Sequence, residues 1–412
     1  ADIDRDFKQR TFKVFSTVSN RQLVFERDNV QLPPFYIDGL SEDKQSLIVS
    51  FDDGERFGLY TLSLIDGAIA PVLYRDSPVG YVLTIDDPFT NEVIGYAYTD
   101  DSPGNVYLNE TFAETQAFTQ NALKADRDIL QSWSNDLSQF TLAAYDRGQP
   151  VQYYIYDKNV PSISPIGGEA PWIATSDLGQ VETVTYAASD GLEFEAFLTY
   201  PNGMSKADGP LPLVMLPHGG PEARDRATYD WLAQAVASQG YLVMQPNFRG
   251  SAGYGAEFRN AGYGEFGGKM IDDITDGAAW AVAQGLAKPG YCSVGWSDVG
   301  MAFDDGDSRS SSFAYWENYV GDFFKTERSE RRMISPAPRG SEYRVPVLLL
   351  HGDEDTTVPV GQSKALYSAL SNSADPRLVV FDGDDHQLAR TTSRVKELEE
   401  TLAFLQEHHP AR

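Results

Sequence analysis

The pattern of the chain changes near residue 180, and this change constrains the fold more than any other feature. The residues before it form short β-rich runs separated by Asp, Asn, Ser and Gly, as antiparallel strands joined by turns do. The residues after it alternate between apolar strand-like runs and helix-like segments, which favours a parallel sheet covered by helices on both faces. We therefore predict an all-β domain over residues 1–180 and an α/β domain over residues 181–412.

A repeated unit is visible in the first part of the chain. Two similar copies start at Ser41 and Ser134, and a weaker copy begins near Thr90. A β-rich period in the forties is typical of β-propeller blades, which must stack because no blade covers its own faces. We count three blades, with a fourth if residues 11–36 contribute strands, so we expect a partial propeller. A plain antiparallel sandwich is the alternative.

One predicted helix interrupts the blades. Over residues 111–130 the spacing of apolar side chains is four, three and four, which indicates one face of a helix. The residues that fall on this face are Phe118, Ala122, Ala125 and Ile129.

Residues with catalytic chemistry follow four predicted strands of the second part. In parallel sheets, functional residues gather at the carboxyl ends of the strands. The residues at those ends are His218 and Gly219 after strand 211–217, Ser297 after strand 291–296, Asp353 and Asp355 after strand 345–350, and His386 after strand 377–381. Serine, then acid, then histidine is the chain order of the α/β-hydrolase triad, and either aspartate could be the acid.

These residue types form a nucleophilic unit when they meet. Ser297 needs a base to take its proton, and the imidazole of His386 needs a carboxylate to hold its tautomer. The glycines after His218 allow backbone N–H groups to face a developing oxyanion. Each histidine alone is more often structural, but the order of the three residue types favours a catalytic interpretation.

Composition narrows the range of partners. The chain has 60 acidic and 33 basic residues and a net charge of −27, which argues against nucleic acid or an anionic membrane as the main partner. Cys292 is the single cysteine, so neither an internal disulfide nor a cysteine-built zinc site can form. The acidic cluster at 304–307 lacks the spacing of a calcium loop, and we expect neither a metal nor a cofactor.

Hydropathy predicts no membrane association. No apolar run approaches the roughly 20 residues of a membrane-spanning helix. We expect a soluble protein of the cytoplasm or the periplasm, and homo-oligomerisation is left open.

The motifs resemble those of the prolyl oligopeptidase family of serine peptidases, in particular its bacterial acylaminoacyl-peptidase and dipeptidyl-peptidase branch. The stretches that carry the resemblance are residues 216–221, 245–255, 267–273 and 351–359. The resemblance implies an α/β-hydrolase domain preceded by a β-propeller-type domain. It also implies cleavage of short peptides through an acyl-enzyme, with the propeller excluding folded proteins.

The resemblance also assigns roles to individual residues. Ser297 would be the nucleophile, Asp355 the acid and His386 the base. The backbone N–H of Asp298 and the loop at His218 and Gly219 would form the oxyanion hole. An aromatic segment would line the pocket for the residue before the scissile bond, or would simply be a packed helix, and it comprises Tyr315, Trp316 and Tyr319.

The nucleophile motif departs from the family pattern. The family has glycine two residues after the serine, where this chain has Val299, and Gly300 comes one place late. Only 57 residues separate Ser297 from Asp355, too few for the further strand and helices that belong there. We therefore expect that a block of residues is absent after Ser297. Its loss would open the sheet between the third and fourth strands and leave backbone groups unpaired.

Three hypotheses follow for the function. The first is a serine peptidase that acts on short peptides. The second is a non-catalytic relative that keeps the scaffold and binds peptides or partners, which the altered motif around Ser297 favours. The third is an esterase on the same hydrolase core.

Overall fold

A computed structural model describes most of the chain. The described residues are 2–6, 11–18, 21–28, 34–41, 44–52, 57–73, 82–90, 92–98, 105–292, 319–320, 334–370, 372–373 and 375–411.

The described residues of the all-β part form four antiparallel sheets, in each of which a strand pairs with its neighbour in sequence. The first sheet has β1 (Asp2–Asp6), β2 (Thr11–Ser16) and β3 (Gln22–Arg27), and the second has β4 (Tyr36–Leu40), β5 (Ser46–Asp52), β6 (Phe57–Ser63) and β7 (Ile69–Leu73). The third has β8 (Val82–Asp86), β9 (Val93–Tyr98) and β10 (Asn105–Tyr107), and the fourth has β11 (Arg127–Trp133), β12 (Gln139–Tyr145), β13 (Gln152–Asp157) and β14 (Ser162–Gly168). Sheets of this order are typical of propeller blades. The fourth blade, expected if residues 11–36 contributed strands, is present.

Apolar side chains pack between successive sheets. One buried cluster joins β2 to β5 and β6, a second joins β5 and β6 to β9, and a third joins β9 and β10 to β11 and β12. Representative members are Val14, Val49, Tyr96, Ile94 and Leu142. Each sheet therefore covers a face of the next, which is the stacking that the repeat predicted.

The helix between the third and fourth sheets is shorter than predicted and buries a different face. Helix α1 (Glu110–Leu123) ends at Lys124, which has a left-handed φ of 55°, and the predicted face residue Ile129 lies in β11. Phe118, which lies on the predicted face, is 42% exposed. The residues that α1 buries are Phe112, Thr115, Gln116 and Thr119, and the last two belong to one hydrogen-bonded group.

That group surrounds the buried carboxylate of Asp128 on β11. Thr119 Oγ1 donates to Asp128 Oδ2 at 2.6 Å, and Gln116 Nε2 donates to the same oxygen at 2.9 Å. Burial raises the pKa of Asp128, because water no longer stabilises its charge, and the two hydrogen bonds oppose that shift. The polar face of α1 therefore turns inward to satisfy an acid that apolar spacing does not reveal.

The second part of the chain alternates strands and helices. Its strands are β15 (Val181–Ala187), β16 (Glu193–Thr199), β17 (Leu211–Met215), β18 (Leu242–Pro246), β19 (Ala287–Cys292), β20 (Val347–Gly352) and β21 (Pro376–Phe381). Its described α-helices are α2 (Trp231–Ser238), α3 (Ala256–Asn260), α4 (Lys269–Ala283), α5 (Gly361–Ala369) and α6 (Thr391–His408). Short 3₁₀ turns lie at Lys206–Asp208 and Ala337–Glu342, and another at Thr175–Asp177 precedes β15. Among the described helices, none has the length and apolar character to cross a bilayer.

The described strands of this part form two separate sheets. One has five strands in the order β15-β16-β18-β17-β19, and the other pairs β20 with β21. β17, β18 and β19 are parallel as predicted, whereas β15 and β16 form an antiparallel hairpin, because only a short turn at residues 188–192 joins them. Among the described residues no pairing joins β19 to β20, which is where the sequence predicted an opening.

The chain divides into two compact units. The first comprises Ala1–Leu178, Gly220–Tyr229 and Gly250–Ala261, and the second comprises Gly179–Gly219, Asp230–Arg249 and Gly262–Arg412. The first unit thus takes in two segments from the α/β part of the sequence. The side chains of Asp355 and His386 both belong to the second unit.

A buried ion pair ties the end of β18 to α4. The Arg249 guanidinium donates to Asp273 at 2.6 and 2.7 Å and also reaches Asp190 at 3.0 and 3.1 Å. Asp273 is completely buried, so desolvation raises its pKa, while Arg249 opposes the shift. Hydrogen bonds from Arg249 and Lys269 lower the pKa of Asp190. The buried charges are therefore paired, as buried charges must be.

We expect Asp273→Ala to lower the free energy of unfolding by about 3 kcal/mol, because it leaves a buried guanidinium without its main partner. The matched control is Asp190→Ala at the other end of the same guanidinium, where the side chain is 37% exposed and water can take its place. Urea denaturation of both variants is the measurement. Equal losses of unfolding free energy in the two variants would contradict the conclusion that the buried Asp273 is the main partner of Arg249.

Candidate active site

Two parallel strands in register bring the predicted acid and base to the same edge of a sheet. His351 lies opposite Val380 and Gly352 lies opposite Phe381, so the loops that follow β20 and β21 start side by side. Beyond the strands, the Asp353 N–H donates to the Phe381 carbonyl at 3.1 Å. The pairing thus continues into the loops that carry the catalytic candidates.

Gly352 allows these two loops to approach closely. A Cβ at this position would lie 2.6 Å from the carbonyl oxygen of Asp385 and nearer still to that of Asp384. Only glycine therefore fits between the loop after β20, which carries Asp355 (the acid loop), and the loop after β21, which carries His386 (the base loop). The Glu354 N–H uses this proximity to donate to the Asp384 carbonyl at 3.0 Å.

Asp355 and His386 form a hydrogen-bonded pair. The Nδ1 atom of His386 lies 2.7 Å from Asp355 Oδ2, and the other carboxylate oxygen accepts the N–H groups of Thr357 and Val358 at 2.8 and 2.7 Å. Because an ionised carboxylate only accepts, Nδ1 carries the proton and Nε2 is left to act as a base. The Asp355 side chain is 4% exposed and that of His386 is 41% exposed, so the base faces solvent above a buried acid.

The surroundings of Asp355 keep it ionised. Burial by itself would raise its pKa, but the Val358 N–H, His386 and the Thr357 N–H all stabilise the charged form. Their sum outweighs burial, and the pKa of Asp355 lies below its usual value. A charged acid is what the orientation of an imidazole base requires.

Asp353, the other candidate acid, has a different partner. Its Oδ1 accepts the Gly383 N–H at 2.6 Å, so it braces the base loop from the acid loop. Arg390 supports the same loop, because its guanidinium donates to the Asp382 carbonyl at 3.1 Å. Sequence analysis did not identify this role for Arg390, and nothing in its spacing signals it.

The loop proposed for the oxyanion hole follows β17. The Nδ1 atom of His218 donates to the Gly219 carbonyl at 2.8 Å, and the ring stacks on Phe248 with centroids 4.6 Å apart and planes 14° apart. These contacts orient the imidazole. Phe248 was not singled out from the sequence, although it lies in the family-like stretch 245–255.

Four of the predicted site residues lie outside the described residues: Ser297, Asp298, Tyr315 and Trp316. Tyr319 is described, and its side chain is completely buried. It packs edge-on against Tyr263 with ring centroids 5.0 Å apart. These contacts give Tyr319 a packing role, and its contact with substrate stays a prediction.

One side-chain group has the composition of a metal site. Asp375, Glu407 and His408 bring their ligand atoms together. Arg377 already contacts both carboxylates, reaching Glu407 at 2.7 Å, and His408 Nε2 lies 2.9 Å from Asp375. A guanidinium therefore supplies the positive charge that a cation would bring, and we assign this group as a surface ion-pair cluster.

Comparison with known sequences identifies a family for the second part of the chain. Residues 227–303 and 290–411 each match the model of the prolyl oligopeptidase family. The two matches overlap, so residues 290–303 around Ser297 are matched twice, as the end of one stretch and the start of another.

A dipeptidyl aminopeptidase BIII from Pseudoxanthomonas mexicana is 30% identical over 399 residues, covering 85% of this chain and 56% of the relative. The chain thus spans about half the length of the curated relatives it matches. Because 85% of 412 residues is about 350, about 49 of the 399 aligned positions have no residue from this chain.

Solved structures show the same fold. A puromycin-hydrolyzing peptidase from Mycobacterium tuberculosis matches with a TM-score of 0.72 at 18% identity, covering 97% of this chain and 66% of that chain. An acylaminoacyl peptidase from Pyrococcus horikoshii matches with a TM-score of 0.65 at 16% identity, covering 97% and 69%. The predicted fold class, an α/β-hydrolase domain preceded by partial β-propeller sheets, is confirmed. Residues 227–411 of the chain, which match the model of the prolyl oligopeptidase family, belong to that family.

Proposed function

We propose that this chain is a serine peptidase that hydrolyses short peptides, with Ser297 as nucleophile, His386 as general base and Asp355 as the acid that orients the base. The observation that supports this most directly is the 2.7 Å hydrogen bond between His386 Nδ1 and Asp355 Oδ2. It leaves His386 Nε2 exposed and unprotonated, as a base for a serine hydroxyl must be.

The proposed reaction has two halves. Ser297 Oγ attacks the peptide carbonyl carbon while His386 Nε2 takes the hydroxyl proton, and the same proton then passes to the leaving amine as the C–N bond breaks. Water next attacks the acyl-enzyme ester with His386 again as the base, which releases the acid and restores the serine. The Asp298 N–H and the loop at His218 and Gly219 are proposed to stabilise the oxyanion in both halves.

The substrate class is proposed from the similarity of this chain to known proteins. The relatives are described as a dipeptidyl aminopeptidase, a puromycin-hydrolyzing peptidase and an acylaminoacyl peptidase, and the three names have peptidase activity in common. For this chain we propose only the general substrate class of short peptides. Tyr315, Trp316 and Tyr319 are the proposed lining of the pocket for the residue before the scissile bond.

A second proposal is that the chain is a non-catalytic relative that binds peptides. Four observations favour it: the displaced Gly300, the double match of residues 290–303, the roughly 49 unfilled positions in the alignment and the lack of pairing between β19 and β20 among the described residues. The first two lie at Ser297 itself and fit the loss of a block there. Such a chain would bind peptides without turnover, and inserting the corresponding block from a relative would restore cleavage.

A fluorophosphonate probe distinguishes the two proposals. If the peptidase proposal is right, the intact chain is labelled, because His386 activates Ser297 towards the phosphorus atom. Labelling is lost in Ser297→Ala. Ser293→Ala is the matched control, because it removes a serine four residues away that lacks the glycine–X–serine context, and it keeps the labelling. Absence of labelling in the folded chain would reject the peptidase proposal in favour of the non-catalytic one.

The depressed pKa of Asp355 predicts a pH-dependent contribution to stability. Its folded-state pKa lies below the unfolded value, so ionised Asp355 stabilises the fold above pH 3.8, and this contribution disappears as the pH falls through the folded-state pKa. Asp355→Asn should therefore be less stable than wild type at neutral pH, and the difference should shrink on acidification to the pKa range of carboxyl groups. Urea midpoints of both proteins across this pH range are the measurement. A difference that stays constant or grows on acidification would show that the carboxylate is not stabilised.

The esterase alternative is tested with matched substrates. An acyl ester and an acyl peptide amide that share the same acyl group should both form the same acyl-enzyme at Ser297. A peptidase hydrolyses both, whereas cleavage of the ester with no cleavage of the amide would favour the esterase.

A further inference from the structure

His351, at the end of β20, is a largely buried histidine whose two ring nitrogens both have hydrogen-bond partners. Its side chain is 10% exposed. Nε2 lies 2.8 Å from the Val358 carbonyl oxygen, and Nδ1 lies 2.7 Å from the hydroxyl of Ser363 in the first turn of α5. Ser363 and Val358 are also buried.

These partners fix the protonation of the neutral ring. A carbonyl oxygen only accepts, so Nε2 carries the proton that is donated to Val358. Nδ1 is then the acceptor, and the Ser363 hydroxyl donates to it. The Val358 carbonyl can only accept, so it fixes the proton on Nε2, and the Ser363 hydroxyl, which can donate or accept, donates to the unprotonated Nδ1.

The residue whose carbonyl His351 holds also binds the acid, through its own N–H. The Val358 N–H donates to Asp355 Oδ1 at 2.7 Å, while its carbonyl accepts from His351. Nε2 of His351 additionally lies 3.3 Å from Asp355 Oδ2, which is the oxygen that accepts His386 Nδ1. The buried ring thus touches Asp355 directly and also through one residue of its own loop.

We propose that His351 is a positioning residue for the Asp355–His386 pair, with Ser363 setting its tautomer. By holding the Val358 carbonyl, His351 fixes the backbone of this residue, whose N–H aims the carboxylate so that Oδ2 faces His386 and keeps the His386 proton on Nδ1. This inference rests on the proposed function only in that the proposed function gives the Asp355–His386 pair its catalytic role. Its test requires no turnover.

The test is the tautomeric state of His386, read from side-chain ¹⁵N–¹H correlation spectra of the intact chain at alkaline pH. The five histidines of the sequence make assignment by substitution practical. We expect wild type to show His386 protonated at Nδ1 and His351 protonated at Nε2. His351→Leu should lose the fixed Nδ1–H state of His386, and His351→Gln should retain it, because the glutamine amide can still donate to the Val358 carbonyl.

Two further variants keep the test decisive. Asp355→Ala must abolish the fixed tautomer of His386, which calibrates complete loss. Ser363→Ala keeps the ring of His351 but removes the donor to Nδ1, and it should give a partial loss even if His351→Leu fails to fold. Circular dichroism and urea midpoints verify that each variant is folded when its spectrum is taken.

The positioning role is rejected if folded His351→Leu or Ser363→Ala lowers the urea midpoint while His386 keeps its Nδ1–H state, because His351 then only stabilises the loop. A chain that shows the expected spectra but no fluorophosphonate labelling would retain this inference and lose the peptidase proposal. A chain that is labelled, but in which substitution of His351 leaves the His386 tautomer unchanged, would retain the peptidase proposal and reject the positioning role of His351.

Discussion

The parallel, in-register pairing of β20 with β21 is the constraint on which the candidate site depends. It starts two loops from adjacent points, and Gly352 lets them come within contact distance. A one-residue slip in this register would turn the strand-end side chains to the opposite face of the sheet. The hydrogen bond between Asp355 and His386 is therefore a consequence of strand pairing before it is a feature of catalysis.

The acid loop is held by several contacts in addition to the hydrogen bond between Asp355 and His386. Asp353 reaches the Gly383 N–H, Glu354 reaches the Asp384 carbonyl, and His351 closes the loop on itself through Val358. A buried carboxylate needs such support, because every N–H that it accepts offsets part of its lost hydration. The same logic applies to Asp128 in the fourth blade, where helix α1 supplies the donors.

Much of this architecture could be predicted from the sequence, because period-2 runs, turn residues and strand-end polar residues are local signals. The blades and the positions of His218, Asp355 and His386 after strands followed from them. The buried face of α1 did not, because the partner that makes Thr119 and Gln116 bury is Asp128, beyond the end of the helix. Spacing alone could not separate Asp353 from Asp355 either; the resemblance favoured Asp355, and the contacts give the two aspartates different partners.

The division of the described α/β strands into two sheets has a consequence for how members of this family can lose activity. The proposed acid and base follow β20 and β21, whereas the proposed nucleophile Ser297 follows β19, a strand of the other described sheet. Changes near the serine need not disturb the ladder that aligns Asp355 with His386. The hydrogen bond between Asp355 and His386 therefore does not by itself show that a chain with this fold hydrolyses peptides, and the segment around the serine must be compared as well.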